Sequence, residues 1–72
     1  MTAIVLKSST YNRVISRLRH FGSLAPFTTL PSRVSHDCGF TYLYFQSFSD
    51  MCYATDYLYA YNALFRVVET SL

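Results

Sequence analysis

The longest periodic stretch of the chain runs from Asp50 to Val68 and contains neither Gly nor Pro. At about 100° per residue its side chains divide into two faces. Met51, Tyr53, Ala54, Tyr57, Leu58, Ala60, Tyr61, Leu64, Phe65 and Val68 share one broad arc, and Thr55, Asp56, Asn62 and Arg66 share the other. The spacing predicts a helix over about 49–68, capped by Ser47 or Ser49 with Asp50 in or beside its first turn. Tyr53, Tyr57 and Tyr61 stand at i, i+4 and i+8, so they form a stripe down the buried face.

A second helical pattern lies near the start. Tyr11, Val14, Ile15, Leu18 and Phe21 fall on one side, with Arg13, Arg17 and His20 clustered opposite. Ser9 or Thr10 can cap this helix, expected over about 10–21, and Gly22 can end it. Before it, Ala3-Ile4-Val5-Leu6 is an apolar run too short for the core of a secretory signal. Residues 22–36 hold Gly22, Pro26 and Pro31 among small polar residues and read as a linker, with Phe27 and Leu30 as short anchors. His36-Asp37-Cys38-Gly39 reads as a turn, with Gly39 able to supply a positive φ. Phe40 to Phe45 has the aromatic and β-branched content of a strand, but no mate for it is evident. The expected architecture is therefore mainly α. Two amphipathic helices are joined by a Pro/Ser/Thr linker and a short extended segment at 40–45, with no independent compact core. Three regions follow: a basic segment (1–22), a linker and turn (23–39), and an aromatic arm with its helix (40–72).

Charge sharpens this division. Residues 1–36 carry Lys7, Arg13, Arg17, Arg19 and Arg33 with no acid, whereas residues 37–72 carry Arg66 against Asp37, Asp50, Asp56 and Glu69. An acid-free, Arg-rich amphipathic N-terminus has the composition of an organelle transit peptide. It resembles mitochondrial presequences in Tyr11-x-x-Val14-Ile15, similar to the apolar spacing that import receptors bind, and in Arg19-His20-Phe21-Gly22-Ser23, similar to a processing site. The resemblance implies mitochondrial import, with Arg13, Arg17 and Arg19 as the targeting charges. A cytoplasmic or membrane-surface location is the alternative.

Chemistry is sparse. His36, Cys38 and Cys52 give at most three ligands where a closed zinc site needs four, and His20 lies on the presequence-like helix. A Cys–His nucleophile pair would need a pocket and an oxyanion loop that are not visible in the pattern. With two glycines in all, there is no phosphate-cradling loop. The positive charge lies mostly at residues 7–33 and the tyrosine stripe in the acidic half, which argues against nucleic acid. No enzyme activity, cofactor, metal or small-molecule substrate is expected.

The resulting expectation is a small non-enzymatic accessory protein. Its C-terminal helix docks on a larger protein or membrane complex, or on a second copy of itself, through Met51, Tyr53, Ala54, Tyr57, Leu58, Tyr61, Leu64, Phe65 and Val68. Two other readings fit the same features: an open-reading-frame product with no evolved biochemical role, and a peripheral membrane-surface peptide.

Overall fold

The computed structural model describes residues 1–21 and 24–69. Gly22 and Ser23, and with them the proposed helix stop and processing site, lie outside the described residues, as does the side chain of Phe21. The chain runs β1 (Thr2–Lys7), α1 (Ser8–Phe21), α2 (Ala25–Thr28), β2 (Arg33–Asp37), β3 (Phe40–Phe45), α3 (Phe48–Ala60) and β4 (Arg66–Glu69). The four strands form one antiparallel sheet in the order β2-β3-β1-β4. Apart from the extra turn of α2, this is the βαββαβ connectivity of the ferredoxin-like motif.

The mainly helical, coreless architecture expected from the pattern is thus wrong. The mate for β3 is β1, paired along its whole length from Thr2 opposite Phe45 to Lys7 opposite Phe40. The short apolar run is a central strand: Ile4 and Leu6 face the core, while Ala3 and Val5 lie on the opposite face, where the register sets Ala3, fully buried, between Tyr44 and Val68. The expected linker contains α2 and β2. Residues 66–69 are a strand beside β1 rather than the last turn of a helix.

One face of the sheet carries the core. Ile4, Leu6, Leu43 and Phe45 point toward Val14 and Leu18 of α1, Phe27 of α2, and Met51, Ala54 and Leu58 of α3. Both long helices pack across the central pair β1 and β3. Phe27 is fully buried with the rings of Tyr11 and Tyr57 edge-on to it at 6.5 and 6.2 Å, so one short anchor ties all three helices together. The radius of gyration, 11.1 Å, matches the roughly 11 Å of a folded chain this long.

Local signals explain the boundaries. Ser47 caps α3, its hydroxyl accepting from the Asp50 N–H at 3.4 Å. Asn62, at φ 54°, ends it in a Schellman motif: Ala63 N–H donates to Leu58 C=O at 2.9 Å and Asn62 N–H to Tyr59 C=O at 3.1 Å. Cys38 and Gly39, at φ 51° and 81°, make the two-residue type I′ turn that joins β2 to β3.

Beneath the sheet, buried Thr41 hydrogen-bonds with Ser8 at 2.9 Å and with His36 Nδ1 at 2.8 Å. Nearby, the Tyr11 phenol donates to Phe27 C=O at 3.1 Å, and burial raises its pKa above 10.0. The folded state therefore holds this proton more tightly than the unfolded chain does. The stability linked to it is complete below about pH 10 and is lost as pH rises through the folded-state value. Tyr11→Phe is expected to cost about 1 kcal/mol at neutral pH through the lost hydrogen bond, and to flatten the alkaline decline in urea midpoint. Parallel declines in the two proteins would refute that assignment.

Candidate functional site

Among the described residues, the other face of the sheet carries none of the helices. Side chains alternate along a strand and directly opposed residues share a face, so the register assigns this surface without ambiguity. It presents Arg33, Ser35 and Asp37 from β2, Phe40, Tyr42 and Tyr44 from β3, Ala3, Val5 and Lys7 from β1, and Arg66 and Val68 from β4. None belongs to the core cluster or to the hydrophobics packed against it, although Ala3 is itself fully buried within the sheet. Phe40 is exposed, and Tyr42 and Tyr44 are half-buried.

The tyrosine rings lie 6.3 Å apart and within 18° of parallel. The Arg33 guanidinium stands 4.5 Å above the Tyr44 ring, a cation–π contact that anchors its planar group at one border of the aromatic row. At the other border, Val5, Leu6, Lys7, Phe40, Leu64, Phe65 and Arg66 line a shallow depression of about 190 Å³. That is below the roughly 300 Å³ at which small-molecule pockets begin. The surface suits an extended ligand better than an enclosed one.

The residues expected to form the docking face divide between several environments. Met51, Ala54 and Leu58 are buried against the sheet. Tyr57 and Tyr61 are half-buried and pack on the core, as does Phe65 from the loop after α3. Tyr53 is exposed, Leu64 is 86% exposed in that loop, and Val68 sits on β4 at the open face. The continuous stripe is thus broken, because Asn62 stops the helix before Leu64 and Val68 can join it. What remains on the outer side of α3 is a dip lined by Tyr53, Asp56, Tyr57 and Ala60. There the Tyr53 and Tyr57 hydroxyls meet at 3.4 Å, and this hydrogen bond, with the neighbouring phenol charge, raises the Tyr57 pKa.

Arg13, Arg17 and Arg19 are exposed on α1, with Arg13 Nη1 donating to Tyr61 C=O at 3.4 Å. His36, Asp37 and Cys38 do not converge: His36 bonds Thr41 beneath the sheet, Asp37 falls on the open face, and Cys38 occupies the turn. Cys38 and Cys52 are free thiols. Among the described residues no group of three or more His, Cys, Asp or Glu is placed to hold a metal, and no helix is long and apolar enough to cross a membrane.

Lys7, Arg33, Phe40, Tyr42, Tyr44 and Arg66 escaped the sequence reading as a group. The available signal was the alternation Phe40, Tyr42, Tyr44 against Thr41, Leu43, Phe45, which gives β3 two aromatic-bearing faces. No protein-family model matches the chain, and neither curated proteins nor solved structures show significant similarity to it.

Proposed function

We propose that the protein is a small non-enzymatic binding module whose contact surface is the open face of the sheet. The observation that carries this reading is the near-parallel pair Tyr42 and Tyr44, continued by Phe40 on a face that no helix covers. Aromatic side chains supply large contact area at low conformational cost and concentrate binding energy when a partner excludes water from them. The outer side of α3 also exposes aromatics, Phe48, Tyr53 and Tyr59, but the charged residues of that helix are both acids, Asp50 and Asp56, so its rings lack the bordering cations of the open face. Mitochondrial import is a second reading, and the exposure of Arg13, Arg17 and Arg19 on one helix supports it.

The test is site-specific photocrosslinking in cell extract. A benzophenone amino acid replacing Tyr42 should give the dominant adduct, while the same group replacing Tyr59, which is 70% exposed on α3, should give little. Equal labelling at both positions, or labelling at 59 alone, would remove the open face as the contact surface.

A further inference from the structure

We infer that the open face takes a single-stranded polynucleotide, with bases laid on the β3 aromatics and phosphates held by Lys7, Arg33 and Arg66. The inference rests on the reading of that face as the contact surface and adds the chemistry of the ligand. Charge complementarity is the first argument. Three cations and one acid, Asp37, occupy the face, and its remaining side chains are uncharged. Its net charge of +2 equals that of the whole chain, so the chain's positive excess is matched on this one face by residues gathered from segments far apart in sequence.

Geometry is the second argument. Arg33 lies on the strand to one side of β3, while Lys7 and Arg66 lie on the two strands to the other side. At about 4.8 Å per strand the four strands span about 14 Å. The register sets Arg33 in the row of Tyr44, Arg66 in the row of Tyr42 and Lys7 in the row of Phe40, so a backbone crossing diagonally meets a cation on either side of the aromatics, while directly across Phe40 from Lys7 stands Asp37. Phe40 and Tyr42 offer ring surface to a base, and the Arg33 guanidinium above Tyr44 offers a planar stacking surface of its own. The depression between Phe40, Lys7 and Arg66 gives one further base an apolar floor with cations at its rim. Aromatic platforms bordered by positive charge are how sequence-tolerant single-strand binders combine stacking with phosphate attraction.

The tyrosine stripe whose separation from the positive charge argues against nucleic acid is that of the C-terminal helix, whereas the aromatics of the open face are those of β3. Strand pairing brings Lys7 opposite Phe40 and Arg33 opposite Tyr44. An acidic peptide would use the cations and leave the stacked rings without a role, and vesicle binding distinguishes an anionic membrane, whose headgroup region also takes phenol rings.

The experiment is fluorescence anisotropy with the full chain and labelled oligouridylate or oligothymidylate, each roughly 12 nucleotides long. Binding is expected to weaken about 18-fold between about 50 and about 200 mM salt if three phosphates are neutralised. Tyr42→Leu, which keeps an apolar residue on the strand, should bind roughly 5- to 100-fold more weakly with an unchanged melting curve. Lys7→Gln should make the log–log salt dependence shallower by about 0.7, and Arg17→Gln on α1 should change nothing. The uridylate and thymidylate arms report whether RNA or DNA is preferred.

No binding up to about 100 µM protein would overturn the inference. So would equal losses for Arg17→Gln and Lys7→Gln, or equal binding to polyglutamate or phosphatidylserine vesicles. Crosslinking at position 42 without oligonucleotide binding would leave the contact surface standing and remove the polynucleotide. Absence of crosslinking at 42 would remove the surface itself.

Discussion

A chain beginning at Ser23 should not fold. Residues 1–22 contain β1, the strand that pairs with β3 on one side and β4 on the other, so its loss leaves β4 without any partner. They also contain Ile4, Leu6, Val14 and Leu18, all buried. At roughly 1.5–3 kcal/mol for each side chain, removing these four forfeits on the order of 6–12 kcal/mol. The total stability of a small domain is about 5–15 kcal/mol and this chain is near the short end of the range. The truncated chain should therefore show no cooperative thermal transition and poor dispersion in its amide NMR spectrum. A cooperative melt would mean that β1 is not the centre of the sheet. The result also bears on import, since removal of a presequence near Phe21 would discard four of the eleven core residues among those described. If the protein is imported, its folded form should retain the whole N-terminus, and mass spectrometry of the mature protein reports this directly.

What could be read from the sequence was what depended on near neighbours. Helix α1 was legible because Val14 and Leu18 repeat at helical spacing, and the start of α3 because Ser47 and Asp50 cap it locally. The span of β3 and the turn at Gly39 were legible from composition. What depended on distant partners was not. A run such as Ala3-Ile4-Val5-Leu6 is equally compatible with a strand or a fragment of helix until β3 and β4 lie beside it. Strand β2 contains Arg33, Ser35, His36 and Asp37 around one half-buried Val34, so its edge position removes the apolar alternation that identifies a strand. The open face was hidden for the same reason. Its cations come from β1, β2 and β4, and only the register places them around the β3 aromatics.

The end of α3 was the costliest misreading, and the pair Leu58 and Leu64 isolates it. A helix continued to Val68 would put both leucines on one interaction face, and truncating either would cost about the same. In the structure Leu58 is fully buried, while Leu64 is 86% exposed. Leu58 is also the third-last residue of α3 and the first of the Schellman motif, where its carbonyl accepts from Ala63 N–H and its side chain and Ala63 are buried together. Leu58→Ala should open a cavity beside Met51 and the sheet, costing about 2–5 kcal/mol. In a domain this small each kcal/mol lowers Tm by about 4–8 °C, so the variant should melt at least about 8 °C lower or be unfolded at room temperature. Leu64→Ala should stay within about 0.5 kcal/mol of the parent. Similar losses for both leucines would return residues 61–68 to a continuous helix. A large loss for Leu58 alone places the break at Asn62, and with it the strand that carries Arg66 to the open face.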